Sequence, residues 1–553
     1  MELRPPVHSP YTISACAISA REAVGQARCL KPKLKRLART LVVTSVVGSS
    51  LVTAPVASSF QLGFEDSRAV WPVGRSATEW WLTAGEAIGA SLFRYELQWR
   101  SVAPTKPQDG SNQADTAYRW SSADAAIRYA RSIDAEAELS ISCAPAWAQG
   151  PNTPEVANGS KGCFDPAAPQ TGSWNPNADE FGRFATALAT RYDGKHEDPL
   201  DRNQMLPRVR LFEAWNEPNY KMFLSPQCSK GSMLAGSSCS SRGKLVSPDA
   251  YRELLNSFYD GVKRVQPDAL VAIGGLGSGA ASSQGREIPP QPFLRSILCL
   301  AGQRPPFTAV KSCPVKAKFD ALGFHPYTFM GTPTTNGGPW TTTQLGNTPE
   351  LRATLNSASE LGTVEPAGPK QLWATEFAWA TNPPGRFGRS GLAAGIPPAR
   401  AASYTAETIY RLWSWGVEKA SWWSAVDRNG GLNATGTSWP TGFYFEPASL
   451  LDAPSVSAKP GLQAFRFPVF ARKTPDGGVA WALSPCKSLD AVVTFSAGRG
   501  KRWTVIATSP TDSDGVAQTD PWPISDGLTK VKADASGTGC TAESSLVYTI
   551  AAR

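Results

Sequence analysis

The sequence predicts an α/β fold, a (β/α)8 TIM barrel with a small C-terminal β-sandwich domain, and three observations predict it. Eight short β-like runs alternate with longer helical ones between residues 60 and 425, the pattern of a parallel sheet with crossover helices. Eight such units are the number that closes a barrel, here enlarged by long loops. From about residue 465 the helical runs give way to short alternating runs separated by turn residues, as in a sandwich.

Strands are expected at 60–64, 92–97, 137–143, 209–215, 270–274, 319–324, 371–376 and 420–425, where β-branched, aromatic and other apolar residues cluster. The clearest helices fall at 122–132, 178–192, 248–266 and 398–415, where apolar residues recur at spacings of three and four. Beyond the barrel, strands are expected at 479–483, 491–495, 502–507 and 546–551. The expected division is therefore a leader at 1–58, a catalytic barrel at 59–460 and a small all-β domain at 461–553.

The leader has its own signature. A cationic run at 31–39 precedes an apolar stretch at 41–47 and then small residues, the marks of a secretory signal; the apolar stretch is too short to span a bilayer. An exported protein with no membrane span in its mature part is expected. Of ten cysteines, Cys16 and Cys29 fall in the leader. The other eight lie as sequence neighbours, Cys143 with Cys163, Cys228 with Cys239, Cys299 with Cys313 and Cys486 with Cys540, which predicts four disulfides in an oxidising compartment. This connectivity rests on proximity alone.

Charge and histidine content exclude several functions. The chain of 553 residues carries a net charge of +9, but residues 1–58 hold eight basic and two acidic residues, leaving 47 against 44 for the rest. The body of the protein therefore has no broad attraction to nucleic acid. With three histidines, His8 in the leader and His196 in a polar loop, only His325 is expected in the interior. A multi-histidine zinc site has no ligands, and a Ser-His-Asp arrangement has at most one base. No metal and no cofactor is expected; Gly275-Leu276-Gly277-Ser278-Gly279-Ala280 is a weak dinucleotide lookalike, followed by a Pro-rich stretch of little helical character. The chemistry must rest on carboxylates.

The strongest signal is Leu211-Phe212-Glu213-Ala214-Trp215-Asn216-Glu217-Pro218-Asn219. Glu217 closes the fourth strand and Pro218 ends it by removing a ladder donor; Glu376 closes the seventh in Leu372-Trp373-Ala374-Thr375-Glu376-Phe377. Strand ends at that face form the active sites of barrels, and two carboxylates converging on one bond suit glycoside hydrolysis. Glu213, Glu96 and Asp427 are competing carboxylates; Glu213 shares the face of Glu217 by period-two alternation but lies deeper, as a structural group.

The string Trp215-Asn216-Glu217-Pro218-Asn219 resembles the signature of clan A glycoside hydrolases, over roughly residues 61 to 446, and within the clan the chain looks most like family 39, with family 5 second. The resemblance implies an exported retaining hydrolase of β-glycosidic bonds in an oligo- or polysaccharide, with Glu217 as acid/base, Glu376 as nucleophile and Asn216 bonded to the sugar 2-hydroxyl. It also implies that His325 or Tyr327 donates a hydrogen bond to Glu376 and that Arg94 holds Glu376 ionised, against a structural salt bridge to Glu96 or Glu65. Trp147, Trp379, Trp422 and Trp423 are candidate platforms for sugar rings, although alternation admits only one of Trp422 and Trp423 to the barrel interior. A carbohydrate-binding barrel without turnover and a transglycosylase share these features.

Overall fold

The computed structural model describes residues 60–70, 74–151, 163, 172–229, 244–279, 288–313, 315–328, 331–381, 395–428, 440–445, 457–524 and 527–552. The leader, Cys239 and Ala280 lie outside them.

Eight parallel strands close into a barrel: β1 (Gln61–Glu65), β2 (Leu92–Gln98), β3 (Glu136–Ser142), β4 (Leu211–Asn216), β5 (Leu270–Leu276), β6 (Ala321–Phe324), β7 (Gln371–Phe377) and β8 (Lys419–Trp423). They follow one another around the ring in chain order, with β8 pairing back to β1. All eight expected strands are present, because each is buried on both faces and so reads as a near-continuous apolar run, as in Leu372-Trp373-Ala374.

Helices pack around the ring: α1 (Arg75–Ile88), α2 (Ser121–Ser132), α3 (Ala178–Arg191), α4 (Ser247–Val265), α5 (Pro290–Ile297), α6 (Thr348–Glu360), α7 (Pro398–Ser414) and α8 (Pro460–Arg466). The four expected helices match α2, α3, α4 and α7. Local chemistry sets their ends: the Asn177 side chain accepts from the Glu180 amide to cap α3, and Gly89, at φ 67°, closes α1 in the left-handed conformation. The Pro-rich stretch read as poorly helical contains α5, whose prolines sit in its first turn, where the missing N–H costs nothing.

Beyond α8 two antiparallel sheets form the sandwich. β9 (Val469–Thr474), β10 (Gly477–Leu483) and β13 (Val516–Gln518) make one, in the order β9-β10-β13. In the other, β11 (Val492–Arg499) lies between β12 (Arg502–Pro510) and β14 (Lys530–Ser536), and β14 also pairs β15 (Glu543–Ser544) and β16 (Tyr548–Thr549). Val493, Phe495, Val531 and Ala533 pack between the sheets in one core with Ala402 and Ala406 of α7, and Tyr410 of α7 stacks on Phe470 of β9 at 4.4 Å. The sandwich therefore buries part of the barrel's outer surface.

Cys143 is joined to Cys163, Cys299 to Cys313 and Cys486 to Cys540. Cys143 directly follows β3, so the first of these staples a loop at the C-terminal mouth of the barrel. No helix among the described residues is long and apolar enough to cross a membrane.

Candidate active site

Strand register gathers charge inside the barrel. Glu65 of β1 pairs with Arg94 of β2 and Trp423 of β8, and Arg94 pairs with Glu138 of β3. Arg94, fully buried, donates through Nη1 to Glu65 Oε2 and, at 2.9 Å, to Glu376 Oε1. Its Nε and Nη2 reach Glu213 Oε2 at 3.0 and 2.7 Å, and Nη2 also reaches Ser140 Oγ at 3.1 Å and Asn216 Oδ1 at 3.2 Å. One guanidinium thus ties β1, β3, β4 and β7 together. Arg94 bonds Glu376 and also forms a buried ion pair with Glu65, but not with Glu96, whose Oε1 accepts from Ser142 Oγ at 2.7 Å.

Glu217 reaches the mouth by a route that simple alternation misses. Trp215 takes φ 83° and Glu217 φ 39°, left-handed conformations uncommon for such residues and typical of functional strand ends. The twist at Trp215 sends its indole outward against Phe181 of α3, at 5.4 Å, with Nε1 donating to the Phe223 carbonyl, and turns Asn216 inward to Arg94. Glu213 lies deep and fully buried on Arg94, as expected. Two glycines of β5 make the room: a Cβ on Gly274 would lie 2.2 Å from the Trp215 carbonyl oxygen, and one on Gly275 would lie 2.1 Å from His325 Nε2. Within the Gly-rich lookalike, Gly275 is therefore required by the close approach of His325.

His325 and Tyr327, beyond the end of β6, divide the two glutamates between them. His325 Nδ1 lies 2.9 Å from Glu217 Oε1, while its Nε2 is 3.5 Å from Glu376 Oε1. The Tyr327 hydroxyl donates to Glu376 Oε2 at 2.9 Å. Of the two expected donors to Glu376, Tyr327 is the one in hydrogen-bond contact, and His325 engages Glu217 instead. Both carboxylates therefore border a single buried imidazole.

Electrostatics separate the members of this cluster. Burial pushes Glu376 up to about 7, while Arg94 first and the Tyr327 hydroxyl after it pull it down, so the guanidinium favours the ionised form and desolvation opposes it. Burial also pushes Glu65 and Glu138 up to about 8. Both oxygens of Glu138 lack hydrogen-bond partners among the described residues, and its nearest approach to Arg94 is 3.9 Å. At Glu65, Glu138 and Glu376 desolvation outweighs the pull of Arg94, which biases these three carboxyls toward their neutral forms.

A carboxyl whose folded-state pKa lies above its unfolded value of 4.5 contributes stability that is complete below 4.5 and is lost as pH rises towards about 8. The melting temperature of the wild type should accordingly fall between pH 5 and pH 9. Glu138→Gln, which cannot ionise, should flatten that fall by several degrees, an effect of about a few kcal/mol at pH 9. Parallel melting curves for the two proteins across that range would contradict the assignment.

The tryptophan expectations fare unevenly. Trp379 is buried against α7, its Nε1 donating to Thr408 Oγ1 and its ring beside Tyr404. Trp422 is buried, stacked on Phe443 at 4.8 Å and donating to the Thr441 carbonyl. Neither can serve as a sugar platform, because both point away from the barrel interior into apolar packing. Trp147 is half-buried, edge-on to Trp99 and donating to the Ala103 carbonyl, contacts that lie outside the carboxylate cluster. Trp423 is the member of its pair that faces the mouth: it shares the register of Glu65 and carries the Arg428 guanidinium over its ring at 4.8 Å. Asp427 is removed from contention by its buried ion pair with Lys459.

Glu138 is the part of the cluster that motif reading passed over. Its signal was a charged residue inside an otherwise apolar parallel strand, as in Glu138-Leu139-Ser140-Ile141. No group of histidine, cysteine or carboxylate side chains among the described residues is arranged to hold a metal ion.

No family model matches the chain, and no curated protein does. Solved structures are similar to it at low identity. A glucosidase from Croceicoccus marinus is 14% identical, with a TM-score of 0.41 over 86% of this chain and 85% of that one. A GH39 enzyme from Xanthomonas axonopodis pv. citri is 12% identical, with a TM-score of 0.43 over 84% and 92%. SrfJ from Salmonella typhimurium is 10% identical, with a TM-score of 0.43 over 83% and 89%. At these values none of them decides what the chain acts on.

Proposed function

We propose that the chain is an exported retaining glycoside hydrolase that cleaves β-linked oligo- or polysaccharides through Glu217 and Glu376. The observation that carries the reading is the pair of carboxylates at the ends of β4 and β7 bordering one imidazole, each in a different environment. Glu217, protonated, gives its proton to the leaving oxygen while Glu376, ionised, attacks the anomeric carbon and forms a glycosyl ester. Water then attacks that carbon, Glu217 takes the water's proton, and the ester bond to Glu376 breaks. Arg94 and Tyr327 bind different oxygens of Glu376, so its rotation is set before substrate arrives. The Asn216 amide oxygen is occupied by Arg94, which leaves its nitrogen to donate to a sugar hydroxyl.

A panel of aryl β-glycosides and β-linked polysaccharides tests the reading, with the anomer of the first product followed by NMR. Hydrolysis with net retention is expected. Inversion, or activity that survives intact in both Glu217→Ala and Glu376→Ala, would defeat it.

A further inference from the structure

Beside the carboxylate cluster lies a cavity of about 720 Å³ bordered by the ends of β1, β2 and β8 and the segments that follow them, a size within the range of ligand sites. Glu65 is part of its wall, and Glu65 shares Arg94 Nη1 with Glu376, so the cavity adjoins the proposed point of cleavage. In the closed strand order β8 is four strands from β4 in either direction, which sets Trp423 across the mouth from Glu217. A leaving group must sit beside the acid that protonates it. The far-side cavity therefore receives the part of the substrate that stays attached to the nucleophile.

The wall of this cavity holds unspent positive charge. Arg68 is committed to Asp66 and to the carbonyls of Val426 and Asp427. Arg119 is exposed and its side chain makes no hydrogen bond or ion pair among the described residues. Arg428 rests on Trp423; its Nη2 donates to Ser67 Oγ at 3.4 Å, its Nε has no partner among the described residues, and its nearest carboxylate oxygen, on Asp66, is 4.0 Å away and already held by Arg68. A guanidinium laid on an indole is oriented in advance, and its terminal N–H groups not spent on Ser67 remain for an anion. Against these, Glu65 is biased toward its neutral form by burial and Glu96 is bonded to Ser142.

Resting on the glycosidase reading, we propose that this cavity binds a carboxylate or sulfate on the sugar preceding the one attacked, through Arg119 and Arg428, which makes the substrate an acidic β-linked glycan. The full-length protein is assayed on uronate-containing β-linked polysaccharides, on the same polymers with their carboxyls reduced to alcohols, and on sulfated and unsulfated β-glucan. Binding is measured separately, as retardation in gels containing each polymer. Arg75→Gln serves as the control, removing the same charge from an exposed helix surface.

A charged polymer is expected to be bound and cleaved better than its neutral counterpart, and Arg119→Gln and Arg428→Gln are each expected to reduce that preference about tenfold, while Arg75→Gln keeps it. Whether the carboxylate or the sulfate pair shows the preference identifies the group. Equal handling of charged and neutral polymers, or a preference that survives in both arginine variants, overturns the proposal and leaves the glycosidase reading standing. Arginine-dependent retardation by a charged polymer with no cleavage of any substrate sustains the cavity's role and sinks the glycosidase reading.

Discussion

Glu376→Ala should lower kcat by on the order of 10⁵-fold while the protein still folds, because it removes the group proposed to form the covalent bond. Glu217→Ala should cost less, about 10²- to 10⁴-fold on natural glycosides, the range for loss of a general acid, and much less on aryl glycosides whose leaving group needs no proton. Azide separates the two roles. In Glu376→Ala it can occupy the vacated space and attack the anomeric carbon from the same side, giving a glycosyl azide of inverted configuration. In Glu217→Ala it intercepts the glycosyl ester and gives an azide of retained configuration. Exchange of these two outcomes would reverse the assignment of roles, and their absence in both variants would remove the glutamates from the chemistry.

Arg94→Gln should destabilise the fold by about 3–5 kcal/mol at pH 8, the range for breaking a buried ion pair, because Glu65, Glu213 and Glu376 all accept from that guanidinium. The loss should shrink at pH 5, where Glu65 and Glu376, already raised by burial, take up protons rather than remain as uncompensated anions. Glu376 should also become harder to ionise, since Arg94 is the largest influence holding it down, and the acid limb of the activity profile should move to higher pH. Urea denaturation at the two pH values checks the first effect. An equal loss at both would mean that Arg94 acts by packing volume and not by charge.

The barrel was legible because a parallel strand buried on both faces advertises itself, as Leu92-Phe93 and Val271-Ala272-Ile273 do. Helix α5 was hidden by prolines that its first turn accommodates, and α1 by Gly85 in its last turn, where a Cβ would lie 2.6 Å from the Tyr129 hydroxyl of α2. Within the site, Glu217 and Glu376 could be found from strand ends, but the partner of His325 could not, because adjacency around the ring favours Glu376 on β7 over Glu217 on β4, and only three-dimensional spacing brings the imidazole to Glu217. Trp379 and Trp422 were misjudged for a related reason: a tryptophan at a strand end satisfies a sequence pattern equally well whether its ring faces sugar or helix. Glu138 carried a readable signal, a lone acid in a buried strand, whose meaning depends on Arg94, 44 residues earlier in the sequence.

Mass spectrometry of the protein after reaction with a 2-deoxy-2-fluoro β-glycosyl fluoride of an accepted substrate tests the proposed chemistry most directly, since fluorine at that position slows breakdown of the glycosyl ester. One added sugar on the peptide bearing Glu376, with loss of activity in step, is the predicted result. A label on any other carboxylate, or full inactivation with Glu376 unmodified, would contradict it.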